Sequence, residues 1–184
     1  MYVCMAAATL TACGPKQEQE QVAEDFSYTV EQFADMEILR YKVHGFDQLQ
    51  PKQKEMLYYL SQAALEGRDI LFDQNGKHNL CIRRTLEAVY VNYAGDKTSA
   101  DFQAFELYLK RVWVANGIHH HYSGDKFIPA FSQTFFAEAV KSIDPTLLPL
   151  SEGETVDALV EKLTPVIFFF FLMAMVRASG TLTL

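Results

Sequence analysis

From residue 29 to residue 163 the apolar positions recur three and four apart, and this spacing constrains the fold more than any other feature of the chain. Side chains so spaced share one face of an α-helix, and each such face needs another element to cover it. A mainly α fold is predicted. Thr29 with Gln32 has capping-box spacing, and a first helix is read through Phe33, Met36 and Ile38. Pro51 suits the first position of a second helix, whose Met56, Leu60, Ala63, Ala64, Gly67, Ile70 and Leu71 make the clearest buried stripe. Gly67 within that stripe would admit a neighbouring backbone. The tetrapeptide Asp73-Gln74-Asn75-Gly76 reads as a turn.

A third helix turns Ile82, Leu86, Val89, Tyr90 and Tyr93 inward, and a fourth Phe102, Phe105, Leu109, Val112 and Trp113. Asn116-Gly117 is expected to cap the fourth helix, while Ser132 and Thr155 start a fifth and a sixth. Tyr58, Tyr59 and Trp113 are read as core aromatics. No β-hairpin and no repeat of fixed period is expected. Residues 144–153, with Pro145 and Pro149, read as the best internal boundary.

The chain of 184 residues is 49% hydrophobic, enough for one domain with a core, and its net charge of -7 argues against nucleic acid as a partner. Its three cysteines, Cys4, Cys13 and Cys81, are too few and scattered for a disulfide scaffold or a four-thiolate zinc site. Packing must supply the stability.

Both ends depart from this pattern. Leu10-Thr11-Ala12-Cys13 follows a run of small apolar residues and resembles a bacterial lipobox. Residues 1–12 are thus read as a lipoprotein signal peptide and Cys13 as the acylated membrane anchor. The protein would sit in the bacterial cell envelope, with Gln- and Glu-rich residues 13–25 as a flexible tether. At the other end, residues 166–176 are an apolar run of eleven, short of the roughly 20 that span a bilayer as a helix. Its four consecutive phenylalanines have no amphipathic period, so core strand, buried helix and sequence foreign to the fold all stay open.

The chemistry-bearing feature is "NGIHHHYSGDKFIP", residues 116–129. In an extended segment His119 and His121 project to one side and could join a third ligand around a divalent metal. The competing readings are a solvated loop past a helix end and a rim that touches peptide. None of the five histidines is followed by glutamate in an H-E-x-x-H pattern, and the sequence has neither a G-x-S-x-G elbow nor a phosphate-binding glycine loop.

Two segments, "ILRYKVHGFDQLQPKQKEMLYYLSQAALEGRDILFDQNGKHNLCIRRTLEAVYVNY" and "FELYLKRVWVANGIHHHYSGDKFIPAF", resemble the N-terminal portion of dipeptidyl-peptidase III, particularly its Bacteroides-type members. The resemblance covers residues 26–165 and is most specific in Tyr59-Leu60-Ser61, Ala63-Ala64, Gly67, Gly117 and Lys126-Phe127-Ile128-Pro129. It implies a two-lobed zinc exopeptidase that releases dipeptides from the free N-termini of short peptides held between its lobes. It also implies that the zinc ligands and the general-base glutamate lie far downstream, in the other lobe, so zinc belongs to the full-length family and no catalytic or metal residue carries over. The chain would be part of the zinc-free lobe, without activity alone, and Asn116, His119, His121 and Tyr122 the surface facing the peptide cleft. Animal members have a tyrosine, lysine and serine stretch where this chain has histidines, which speaks against zinc ligation by the triplet. The family pattern continues in polar sequence past residue 168, so a frameshift near Phe168 would explain the tail at residues 166–184. The rival expectation is a stand-alone helical lipoprotein that binds a peptide or protein partner without catalysis.

Overall fold

A computed structural model describes residues 26–169, and they divide into two units between Lys42 and Val43. Cys13, the expected signal peptide and tether, and most of the phenylalanine-rich tail lie outside the described residues. The division falls at residue 42, not in residues 144–153. There Pro145–Leu147 forms a 3-10 turn and Leu148 is buried, which holds that loop against the helices.

The first unit is an antiparallel hairpin of β1 (Thr29–Phe33) and β2 (Met36–Leu39), where a helix was expected. Phe33 pairs with Met36 across a two-residue turn, and Glu31 pairs with Ile38. Opposed residues share a face, as do residues two apart, so Phe33, Met36 and Ile38 lie on one side of the ribbon. Their spacing of three and then two imitates a helical face. Ala34 takes a left-handed conformation, φ 50°, to make the turn, and the Thr29 hydroxyl donates to Glu37 Oε1 at 2.6 Å.

The second unit is helical: α1 (Pro51–Glu66), α2 (Arg68–Asn75), α3 (Asn79–Asn92), α4 (Ala100–Ala115), α5 (Gln133–Lys141) and α6 (Val156–Phe168). The caps expected at Ser132 and Thr155 form and Ser99 adds a third, whereas Thr29 lies in β1 and caps no helix. The Ser99 hydroxyl accepts from Phe102 N, Ser132 from Phe135 N and Thr155 from Ala158 N, each satisfying an amide that the first helical turn leaves unpaired. Pro51 is the first residue of α1, and Gln50 and Gln53 close a reciprocal cap there. Helix α2 continues through Asn75, so the expected turn begins only at Gly76.

The core lies among α3, α4, α5 and α6. Ile82, Leu86, Val89, Phe102, Phe105, Leu109, Val112, Phe136, Val140, Leu159, Leu163 and Ile167 are all buried there. An aromatic cluster centres on Phe131 in the approach to α5. Its ring meets Phe105 and Tyr108 at 5.5 Å each, Phe135 at 6.3 Å and Phe168 at 5.5 Å. Helix α6 runs through Pro165 and ends at Phe168, so residues 166–168 belong to the helix and Ile167 to the core.

Helix α1 reverses the expectation of a buried stripe. None of its residues is buried, and Met56, Leu57, Tyr58, Tyr59, Leu60 and Leu65 are between 39% and 62% exposed. Ile70 and Leu71 on α2 are exposed as well. Periodicity identifies the face a helix would bury, but it does not supply the element that covers it. Gly67 ends α1 instead of receiving a neighbour, since a Cβ there would make only an ordinary contact, 3.6 Å from Ala64 O.

Candidate functional site

The histidine loop is anchored at both ends by backbone geometry. Helix α4 stops because Asn116 adopts the left-handed conformation, φ 54° and ψ 38°, after which Gly117 N donates to Val112 O at 3.0 Å. Beneath it sits the buried side chain of Asn79, the first residue of α3. A Cβ on Gly117 would lie 2.3 Å from Asn79 Nδ2, and one on Gly76 would lie 3.0 Å from the same atom. Asn79 therefore fills a slot between two glycine backbones, one before α3 and one after α4. Asn75 Nδ2 adds a hydrogen bond to Asn116 O at 3.2 Å.

Beyond this joint the loop forms a narrow arch. His119 and Lys126 make an isolated antiparallel bridge, Phe127 N donates to Ile118 O at 2.8 Å, and His120 N donates to Asp125 O at 2.7 Å. Ile118 and Phe127 are buried and hold the feet of the arch. Lys126 Nζ donates to Phe169 O at 2.8 Å, placing a cation at the C-terminal end of α6, where the helix dipole favours it.

The three imidazoles do different things. His119 is half-buried, and desolvation, with the charge of Lys126 beside it, holds its pKa below the ordinary histidine value. Burial likewise lowers Lys126. His120 Nδ1 accepts from the backbone amides of Tyr122 and Ser123, at 3.3 and 3.2 Å, and so organises the turn. His121 is exposed and stacks on His120 at 4.7 Å, with the Tyr122 ring 4.2 Å from its own. Residues 121–123 form a turn, so the segment is not extended and the premise of an HxH pair on one side fails. Among the described residues no group of three His, Cys, Asp or Glu side chains is placed to hold a metal ion. Nor, among them, is any serine, threonine or cysteine side chain hydrogen-bonded to a histidine as a nucleophile would be to its base.

Of the four residues expected to form one surface, His119, His121 and Tyr122 share the arch, with Tyr122 88% exposed. Asn116 instead lines a recess of about 550 Å³ with Arg68, Phe72, Arg83, Glu87 and Trp113. This second feature was missed because Trp113 was read as core. It is 36% exposed, and its indole Nε1 donates to Glu87 Oε1 at 2.8 Å. The same Glu87 oxygen lies 3.2 Å from Arg83 Nε, and Arg83 Nη1 lies 2.9 Å from Asp69 Oδ1. Neither nitrogen is aligned for a hydrogen bond, so these contacts attract as charges. Arg83 also lies over the Phe72 ring at 4.7 Å. The hydrogen bond from Arg84, with Arg83 adding its charge, holds Asp69 below the ordinary carboxylate range. The spacing of Arg83 and Glu87, four apart on α3, was the available signal.

Tyr58 and Tyr59 likewise prove exposed, on α1. Among the described residues, no helix is long and apolar enough to cross a membrane. No protein-family model matches the chain, and no curated protein matches it.

Proposed function

We propose that this chain is the N-terminal, helical part of a lipid-anchored peptidase of the dipeptidyl-peptidase III type, inactive alone, with its zinc chemistry supplied by sequence downstream. The observation that supports this reading is α1. Its residues 56–60 are five consecutive large apolar side chains, all exposed, and a helix apolar on several sides is ordinarily enclosed in the core of a larger body. Tyr59, Leu60, Ala63, Ala64 and Gly67, on which the resemblance is most specific, sit on or at the end of that uncovered helix. The arch at His119, His121 and Tyr122 then faces the peptide, and its role is to border the cleft, not to bind metal.

The deciding experiment is to read the coding region beyond Phe168 in all frames. A frame encoding an H-E-x-x-G-H helix supports the peptidase reading, and an unrelated neighbour sinks it. The anchor is tested separately by labelling with a clickable palmitate analogue, where Cys13→Ser should abolish label and release the protein from membranes. Persistent label in that variant rejects the anchor.

The rival, a helical lipoprotein that binds a partner without chemistry, is favoured by the recess at Trp113, whose mouth offers an indole, the Arg68 side chain and Asn116. It would leave the downstream frame without zinc motifs.

A further inference from the structure

Helix α1 is charged the wrong way round for a helix standing alone. Lys52 and Lys54 occupy its first turn and Glu66 its last, whereas the macrodipole favours acid at the start and base at the end. Lys54 is occupied locally, with Nζ donating to Asp47 O at 3.1 Å beside the Phe46 ring. Lys52 and Glu66 are exposed, and among the described residues neither side chain enters a hydrogen bond or ion pair.

At about 100° per residue, Met56, Leu60 and Ala63 line one face of α1, with Gly67 in line just past its end, and Lys52, Glu55, Tyr59 and Glu66 lie together on one flank of it. In an antiparallel pair of identical helices, like flanks meet, and the N-terminal end of one lies beside the C-terminal end of the other. A parallel pair would instead bring opposite flanks together, leave Lys52 and Glu66 without each other, and align the two macrodipoles side by side. The antiparallel pair sets each Lys52 against Glu66 of the other copy, twice over, and opposes the two macrodipoles.

We propose that α1 is a self-association surface. It pairs antiparallel with α1 of a second copy about a two-fold axis near Tyr59 and Leu60, with Met56 of each chain against Ala63 of its mate and Lys52 against Glu66. The two sets of contacts share that axis, since residues 52 and 66 are centred on 59, and residues 56 and 63 between 59 and 60. Small side chains at Ala63, Ala64 and Gly67 let the backbones approach closely, and the flanking tyrosines and leucines close over the seam. Sixteen residues run about 24 Å, and the adjoining exposed Ile70 and Leu71 of α2 lengthen the apolar strip. Contiguous exposed apolar side chains of this kind mark interaction surfaces. The inference rests on α1 alone and competes with the peptidase reading for the same face, since a second copy here takes the place of the larger body that reading puts over α1.

Sedimentation equilibrium of the full chain tests it. A dimer should appear across ~1–100 μM, and Lys52→Glu or Glu66→Lys alone should weaken it roughly tenfold by setting like charges opposite each other at two places. The double variant Lys52→Glu/Glu66→Lys should restore the parental affinity to within about threefold, because the pairs are re-formed with signs exchanged. Each single change improves the match of α1 to its own dipole, so weaker association cannot be ascribed to a melted helix, and unchanged circular dichroism checks this. A chain that is monomeric at ~100 μM overturns the proposal, as does association indifferent to the single swaps or not rescued by the double one. A monomer that instead binds the downstream part of its own polypeptide through α1 also overturns it, while leaving the peptidase reading intact.

Discussion

Replacing Gly117 by alanine tests the joint that positions the histidine arch. The added methyl would sit 2.3 Å from Asn79 Nδ2 and 2.9 Å from Asn79 Cγ, well inside contact distance. Asn79 has little room to retreat: it is 3% exposed, and the Gly76 backbone borders it on another side. The φ of Gly117, 155°, is also one that a side chain disfavours. Backbone strain of this kind costs about 1–3 kcal/mol and overpacking a similar amount, so Gly117→Ala should destabilise by about 2–5 kcal/mol. At roughly 2–4 °C per kcal/mol for a chain of this size, the thermal midpoint should fall by about 5–15 °C. Circular dichroism melts of the parent, Gly117→Ala, Asn79→Ala and the double variant form the assay. Because the clash is with one side chain, removing it should recover about 1–2 kcal/mol in the double variant, leaving mainly the backbone strain. A Gly117→Ala protein that melts within about 1 °C of the parent, or a double variant with no recovery, would refute the assignment of Asn79 as the wedge under the loop.

Other perturbations read different parts of the fold. Phe131→Ala removes the ring at the centre of the aromatic cluster and should cost about 3–5 kcal/mol in a denaturant titration, far more than the same change at exposed Tyr59. Ser132→Ala loses the α5 cap and the hydroxyl contact to Asp101 Oδ2 at 3.1 Å, and should cost about 1 kcal/mol in the same measurement. Burial holds His119 and His78 below the ordinary value, so near pH 6.5 and below the unfolded chain binds more protons than the folded one. Stability should therefore be complete above that pH and decline as pH falls through it. Melts from pH 8 to 5 should show a shallower decline in His119→Asn, and an identical pH profile would reject the assignment. Asp69 and Glu154 are depressed by their hydrogen bonds to Arg84 and Lys162. Their contribution is present above the ordinary carboxylate range and should be lost only at lower pH, as each falls through its folded value.

The mainly α fold, the inward faces of α3 and α4 apart from Trp113, and the caps at Ser132, Thr155 and Asn116 were legible in the sequence. Each depends on residues within a turn or two of one another, and burial of the stripes follows where several such helices adjoin. Tertiary structure alone decided three other matters. Phe33, Met36 and Ile38 have a spacing common to a helical face and a strand-turn-strand ribbon, and only cross-strand pairing distinguishes the two. The stripe on α1 satisfies the helical period as well as that on α3 does, yet it is uncovered, because period reports which side chains align and not whether another element reaches them. Asn116 and His121 are five residues apart but border different features, since a left-handed residue and a wedged glycine turn the chain between them. Spacing along the chain is a local quantity, whereas the recess at Trp113, the Asn79 slot and the open face of α1 are fixed by distances between segments that the order of residues does not encode one by one.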